Sequence, residues 1–162
     1  EDKMSNTTGY SRLQIALHWL IAALIVLNYF VSEGMEDAFD GMMEGTPVSG
    51  LVPSVPVWVG VAVLVPALLR LIVRLVQGAP EALGVRVGDK AAVWGHRVLY
   101  LLMLAVPVLG AAAWFGGIDA TADLHVIAVN VLMILALGHA AMAIFHQYML
   151  RDGLLVRMLR AR

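Results

Sequence analysis

No cysteine occurs in the 162 residues. Disulfides, iron–sulfur ligation and thiolate nucleophiles are therefore excluded. Charge is scarce as well: Asp, Glu, Lys and Arg make up 14% of the chain, against 60% apolar residues. A soluble domain of this size needs more polar surface than that. The formal net charge is −1, so no basic excess points to nucleic acid. The length suits one domain, residues 1–162. A cleavable leader is not expected, because the first apolar run already has spanning length and lacks a small-residue cleavage site.

Four apolar runs fill the chain, at about residues 13–31, 56–76, 91–115 and 124–150. A helix needs ~20 residues to cross ~30 Å of hydrocarbon. Backbone polar groups in lipid must be satisfied internally, and the runs are continuous rather than alternating, which argues against a β-barrel. The expected fold is an all-α integral membrane four-helix bundle, with helices at about 13–32, 55–77, 89–115 and 123–150. Pro66 and Pro107 lie inside two of these helices, where neighbours can re-satisfy the backbone. Residues 34–53 are expected to form a loop, with at most a short surface helix.

The connecting segments sort by charge. Glu33, Glu36, Asp37, Asp40 and Glu44 lie between helices one and two, and Asp119 and Asp123 between helices three and four; neither segment has a Lys or Arg. Every Lys and Arg falls on the other side: Lys3, Arg12, Arg70, Arg74, Arg86, Lys90, Arg97, Arg151, Arg157, Arg160 and Arg162. The positive-inside rule then places both termini in the cytoplasm. Trp19 and Trp94 fall toward the inner interface, and Trp58 and Trp114 toward the outer one.

Five histidines, His18, His96, His125, His139 and His146, lie in or at the edges of these helices. Ionisable groups at that depth are costly and point to function. His125, His139 and His146 are spaced by 14 and 7 residues, which returns them to within about 40° and 20° on a helix and makes one inward stripe. His125 and His139 are about 21 Å apart along the axis. That is too far to share one metal ion but suits two stacked haems, one near each leaflet. Two axial imidazoles leave no open iron position, so such a cofactor passes electrons. Depth arithmetic leaves both His139 and His146 open as the partner of His18.

The stretch Tyr-Ser-Arg-Leu-Gln-Ile-Ala-Leu-His-Trp, residues 10–19, resembles the opening of the bacterial cytochrome b561 family, close to its superoxide oxidase member. Gly95-His96 with Tyr100, and His125-x13-His139 followed by Ala140-Ala141, His146 and Arg151-Asp152, are similar to its third and fourth helices. The x13 spacing also resembles the cytochrome b subunits of formate dehydrogenases and nickel–iron hydrogenases. The resemblance covers nearly the whole chain. It implies a multi-pass protein of the bacterial inner membrane that binds haem b. It implies His18 and His139 as axial ligands of the inner haem, and His125 as one ligand of an outer haem. The family's other outer ligand begins a His-Val-x-x-Gly motif, where this chain reads Pro56-Val57-Trp58-Val59-Gly60. Proline cannot ligate iron. The outer haem is then absent, five-coordinate on His125, or capped by a loop side chain such as Met42 or Met43.

By the same resemblance His146 lies by a quinone and proton path. An imidazole suits that role because it titrates near neutrality. His96 is a candidate for bonding a haem propionate, a quinone carbonyl or another helix. Arg70, Arg74 and Arg97 fall where haem propionates would sit, and guanidinium pairs well with carboxylates; snorkelling is their simpler role. The leading expectation is a b-type cytochrome exchanging electrons with ubiquinone in the lipid bilayer. If it is an enzyme, it is an oxidoreductase of superoxide oxidase type. The alternatives are an accessory haem subunit of a larger respiratory complex and a metal transporter using the histidine stripe.

Overall fold

The computed structural model describes residues 9–78 and 87–161. Its order is α1 (Arg12–Val31), α2 (Met35–Met43), α3 (Leu51–Gln77), α4 (Val87–Gly116) and α5 (Asp119–Phe145). A π-helical turn, His146–Leu150, and a 3-10 turn, Val156–Met158, follow. Four segments are long and apolar enough to cross a membrane, each with mean hydropathy of at least 1.8: Arg12–Val31, Pro53–Gln77, Ala92–Gly116 and Asp119–Leu150. The protein is a multi-pass helical bundle, as the apolar runs require. Arg86, Lys3 and Arg162 lie outside the described residues.

Local chemistry explains the helix ends. Ser11 opens α1 with a reciprocal cap: its hydroxyl accepts from the Gln14 N–H, and the Gln14 side chain accepts from the Ser11 N–H. The second span starts earlier than the apolar pattern suggested, at Leu51. Pro53 sits in its first turn, where the missing N–H has no helical acceptor to lose. The link between the third and fourth spans is also shorter than expected. It contracts to Gly117, at φ +62, and Ile118. Asp119 and Asp123 therefore lie on α5 itself, and Asp119 is in its first turn, where the helix dipole favours a carboxylate. The acidic segment after α1 does contain a surface helix, α2, whose Phe39 is buried.

The helices run up and down. α1 packs on α3, α3 on α4, and α4 on α5, while α2 rests on α3. Buried residues include Leu17 and Ile21 of α1, Val63, Ala67 and Val73 of α3, Ala113 of α4, and Ala128 and Leu132 of α5. Alanine at three of these positions lets backbones approach closely, which is how packing energy is gained in lipid. The fourth seam, between α1 and α5, is different. Their backbones barely meet. Side chains cross it instead: Tyr29 donates to Asn130 Oδ1 at 3.4 Å, and Trp19 donates to the Met158 carbonyl at 2.9 Å.

One polar knot pins α1 to α3 at the basic end. The Gln14 side chain, only 5% exposed, donates to the Gly78 carbonyl at 3.0 Å. The Ser11 hydroxyl donates to Gln77 Oε1 at 2.9 Å. Arg70 donates to the Gln14 carbonyl at 2.6 Å. In a low-dielectric setting such bonds lack competing water. Gln14→Leu keeps the backbone bond to the Ser11 hydroxyl but removes the reciprocal side-chain bond of the cap and the Gly78 bond together, and should cost about 2 kcal/mol. The check is the unfolding midpoint in detergent, which should fall by several degrees; an unchanged midpoint would remove the knot from the account.

Candidate functional site

Arg70 bonds the carbonyl of Gln14, one helical turn before His18, so the knot also sets where His18 stands. His18 projects from α1 toward α5. Its ring centroid is 6.3 Å from that of His139, with the planes inclined at 71°. His96 of α4 closes on the other side of His139, at 5.1 Å and 80°. Three imidazoles from three helices therefore gather at the open seam.

Their hydrogen bonds divide them. His96 Nδ1 is 2.6 Å from the Ala92 carbonyl, one turn back on its own helix. A carbonyl can only accept, so this nitrogen carries the proton. His18 and His139 make ring contacts but no hydrogen bond among the described residues. Their ring nitrogens are the ones left for a ligand. Among the described residues no three His, Asp or Glu converge as a bare metal ion would require. Two facing imidazoles across an open seam instead suit a metal whose remaining ligands come from a flat macrocycle.

Cations gather nearby. Arg70 and Arg74 lie over the Tyr100 ring, at 6.0 and 5.5 Å from its centroid. Arg97 lies 5.0 Å over the Trp94 ring. Such contacts hold guanidinium groups while leaving their edges free for acids.

His146 takes another partner. The last turn of the fourth span widens to a π-helix at His146, and Arg151, at φ 53, ends it. This geometry folds the chain back so that His146 Nδ1 meets Asp152 Oδ2 at 2.5 Å. Partial burial pushes the Asp152 carboxyl up. The bond from His146, the Leu154 N–H at 3.0 Å and the nearby His146 charge outweigh it and hold the group below its ordinary range. A lowered carboxyl pKa stabilises the fold above its ordinary value and loses that effect as pH falls through the lowered value. Acidification below about pH 4 should release Asp152. Histidine ¹⁵N NMR checks this: the His146 Nδ1 resonance should move there, and Asp152→Asn should abolish that movement.

His125 stands apart at the acidic end. Its Nδ1 donates to the Val106 carbonyl of α4 at 2.9 Å. Its ring lies flat in a notch at Gly110: a Cβ there would come within 2.9 Å of Cε1 and 3.0 Å of Nδ1. Gly110→Ala should therefore displace the ring and break the Val106 bond. The His125 Nδ1–H signal in the same NMR experiment should broaden or vanish. His125 opens on a cavity of about 940 Å³, walled by α1, α2, α3, α4 and α5. Pro56 lies on its α3 wall and offers no ligand. Met42 and Met43, the loop side chains expected to be available there, do not line it; Met35, Met103 and Met133 do.

The histidine stripe thus serves three partners rather than one. Two features went unnoticed in the sequence. The Ser-x-x-Gln cap at residues 11–14 was a recognisable signal. The approach of His96 to His139 had none, because it depends on how α4 is rotated.

Facing imidazoles at an open helical seam, with arginines at the same end, suit a membrane cytochrome of b type. The comparisons agree. The family model of prokaryotic cytochrome b561 matches residues 9–161, and the chain belongs to that family. It is similar to cytochrome b562 of Cereibacter sphaeroides, 48% identical over 159 residues, covering 98% of this chain and 100% of the relative. It is 29% identical to a probable superoxide oxidase, CybB, of Yersinia pestis, with 93% and 95% covered. It is 27% identical to cytochrome b561 homolog 1 of Escherichia coli, with 94% and 98% covered. No solved structure matches. The protein is a haem b electron-transfer protein of the bacterial inner membrane.

Proposed function

We propose that the chain acts as one unit holding a single haem b between His18 and His139 and exchanging electrons with the quinone pool. The observation that carries this is the pairing of two rings, without hydrogen bonds among the described residues, across the α1/α5 seam, which backbone packing leaves open. Bound there, haem would supply a one-electron carrier, with His18 and His139 as the residues that would hold it. The protein's own part is to hold the rings. The Gln14 knot positions His18, and α4 supports His139 through the edge of His96. Arg70 and Arg74, already held over Tyr100, suit the propionates. His146 with Asp152 suits proton uptake for a quinone at the same end. By the positive-inside rule this end and both termini face the cytoplasm.

Superoxide oxidation, named for the relative CybB, ranks behind plain quinone exchange. Glu33, Glu36, Asp40, Asp119 and Asp123 all line the cavity at the acidic end and would repel an anionic radical. The role of haem-bearing anchor in a larger respiratory complex is the other reading, and turnover by the isolated chain would exclude it.

A pyridine haemochrome assay on the purified protein should give one haem per chain. His18→Ala and His139→Ala should each abolish it. His96→Ala should keep it, with a shifted Soret band. Full haem content in both of the first two variants would overturn the assignment.

A further inference from the structure

The chain continues past its last span. After the π-helical turn at His146–Leu150, residues 151–159 turn back across the basic end of the bundle. Local features make the turn. Arg151, at φ 53, and Gly153, at φ +73, both take the left-handed conformation. Asp152 sets the direction between them. One of its carboxylate oxygens meets His146 Nδ1, and the other accepts from the Leu154 N–H at 3.0 Å. The 3-10 turn Val156–Met158 then carries the chain to α1, where the Met158 carbonyl accepts from the Trp19 indole at 2.9 Å. A segment rooted on α5 is thus tied to α1, across the seam whose backbones barely meet. The tie falls beside His18. Trp19 follows it in the chain, and their rings meet edge to face with centroids 5.2 Å apart.

Charge decides which end of that seam a haem must use. Its two propionates are costly to draw sideways through hydrocarbon. At the acidic end, among the described residues, five carboxylates and no Lys or Arg line the cavity, and they repel anions. At the basic end Arg70 and Arg74 lie over Tyr100 and attract them. The propionates therefore pass through the basic mouth, beneath the segment that ends on Trp19.

That segment can open at small cost. None of residues 151–159 is buried, and Leu154, Val156 and Leu159 are exposed, so lifting it uncovers little apolar surface. We propose that residues 151–159 form a strap that gates haem passage through the basic mouth of the α1/α5 seam, aimed by Asp152 and latched on Trp19. This rests on the reading that His18 and His139 hold haem. The strap supplies no ligand to the iron; it sets how fast haem enters and leaves, because it must lift before the macrocycle can pass.

Haem transfer from the purified holoprotein to apomyoglobin, in detergent, tests this. Trp19→Phe keeps a ring against His18 but removes the donor, and should speed haem loss about fivefold. Asp152→Ala changes nothing on α1 and should do the same. The two together should act little more than either alone, because a strap no longer aimed at α1 has no latch to lose. The chain lacks cysteine, so a nitroxide on Leu159→Cys reports the strap alone. Its spectrum should show faster motion in both variants. Trp19→Cys with Met158→Cys is the decisive pair. Unlinked, it should lose haem about fivefold faster than the unaltered chain; joined by a short bismaleimide, it should lose haem more slowly than the unaltered chain. Unaltered rates in both single variants overturn the proposal, as does a linked strap that sheds haem as fast as the unlinked one. Full haem in His18→Ala and His139→Ala is a separate result: it sinks the ligand reading, and the strap's role with it.

Discussion

A neutral imidazole in hydrocarbon has two ring nitrogens and no water to satisfy them, and the arrangement of this bundle follows from that constraint. His96, His125 and His146 each settle one nitrogen on a protein acceptor: the Ala92 carbonyl, the Val106 carbonyl and the Asp152 carboxylate. Among the described residues His18 and His139 make ring contacts, with each other, Trp19 and His96, but no hydrogen bond. In lipid, a polar group in that position is costly unless something binds it. In the reading proposed above, haem iron takes what the protein leaves unsatisfied.

The same constraint accounts for how the bundle divides its seams. Three helix pairs are closed by apolar packing with small residues such as Ala67 and Ala113. Closing the fourth in that way would fill the space between the two rings. The chain holds it by side-chain contacts instead, Tyr29 to Asn130 toward one end and Trp19 to the Met158 carbonyl at the other. The Gln14 knot keeps α1 from drifting away from α3 while its other side stays open. The two ends then differ in chemistry. Arginines lie over Tyr100 at one, and carboxylates line the His125 cavity at the other. The loss of a second imidazole at Pro56 is consistent with that asymmetry.

Much of this was legible beforehand. Four spans, their alternation and the segregation of charge need only composition along the chain, because hydrocarbon thickness sets helix length and water sets where charge falls. The boundaries moved where backbone rules outweighed hydropathy. Pro53 is tolerated in a first turn, so α3 starts at Leu51; a glycine at φ +62 makes a tight turn, so Asp119 and Asp123 join α5. Met42 and Met43 were offered to the cavity on proximity in sequence alone. The wall instead takes Met35, Met103 and Met133, because α2 lies on α3 with Phe39 buried.

What the residue order determined by itself is one-dimensional: span length, polarity at each end, and the depth of every histidine, since each residue advances a helix by a constant rise. Depth left His139 and His146 equally open as partners for His18. Resemblance to the family favoured His139, and the tertiary structure brings its ring, not that of His146, beside His18. The rotation of each helix about its axis places the rings of His18, His96 and His139 together, and a π turn carries His146 off to Asp152. Rotation and turn widening arise from contacts between segments distant in the chain, so no periodicity within one segment encodes them.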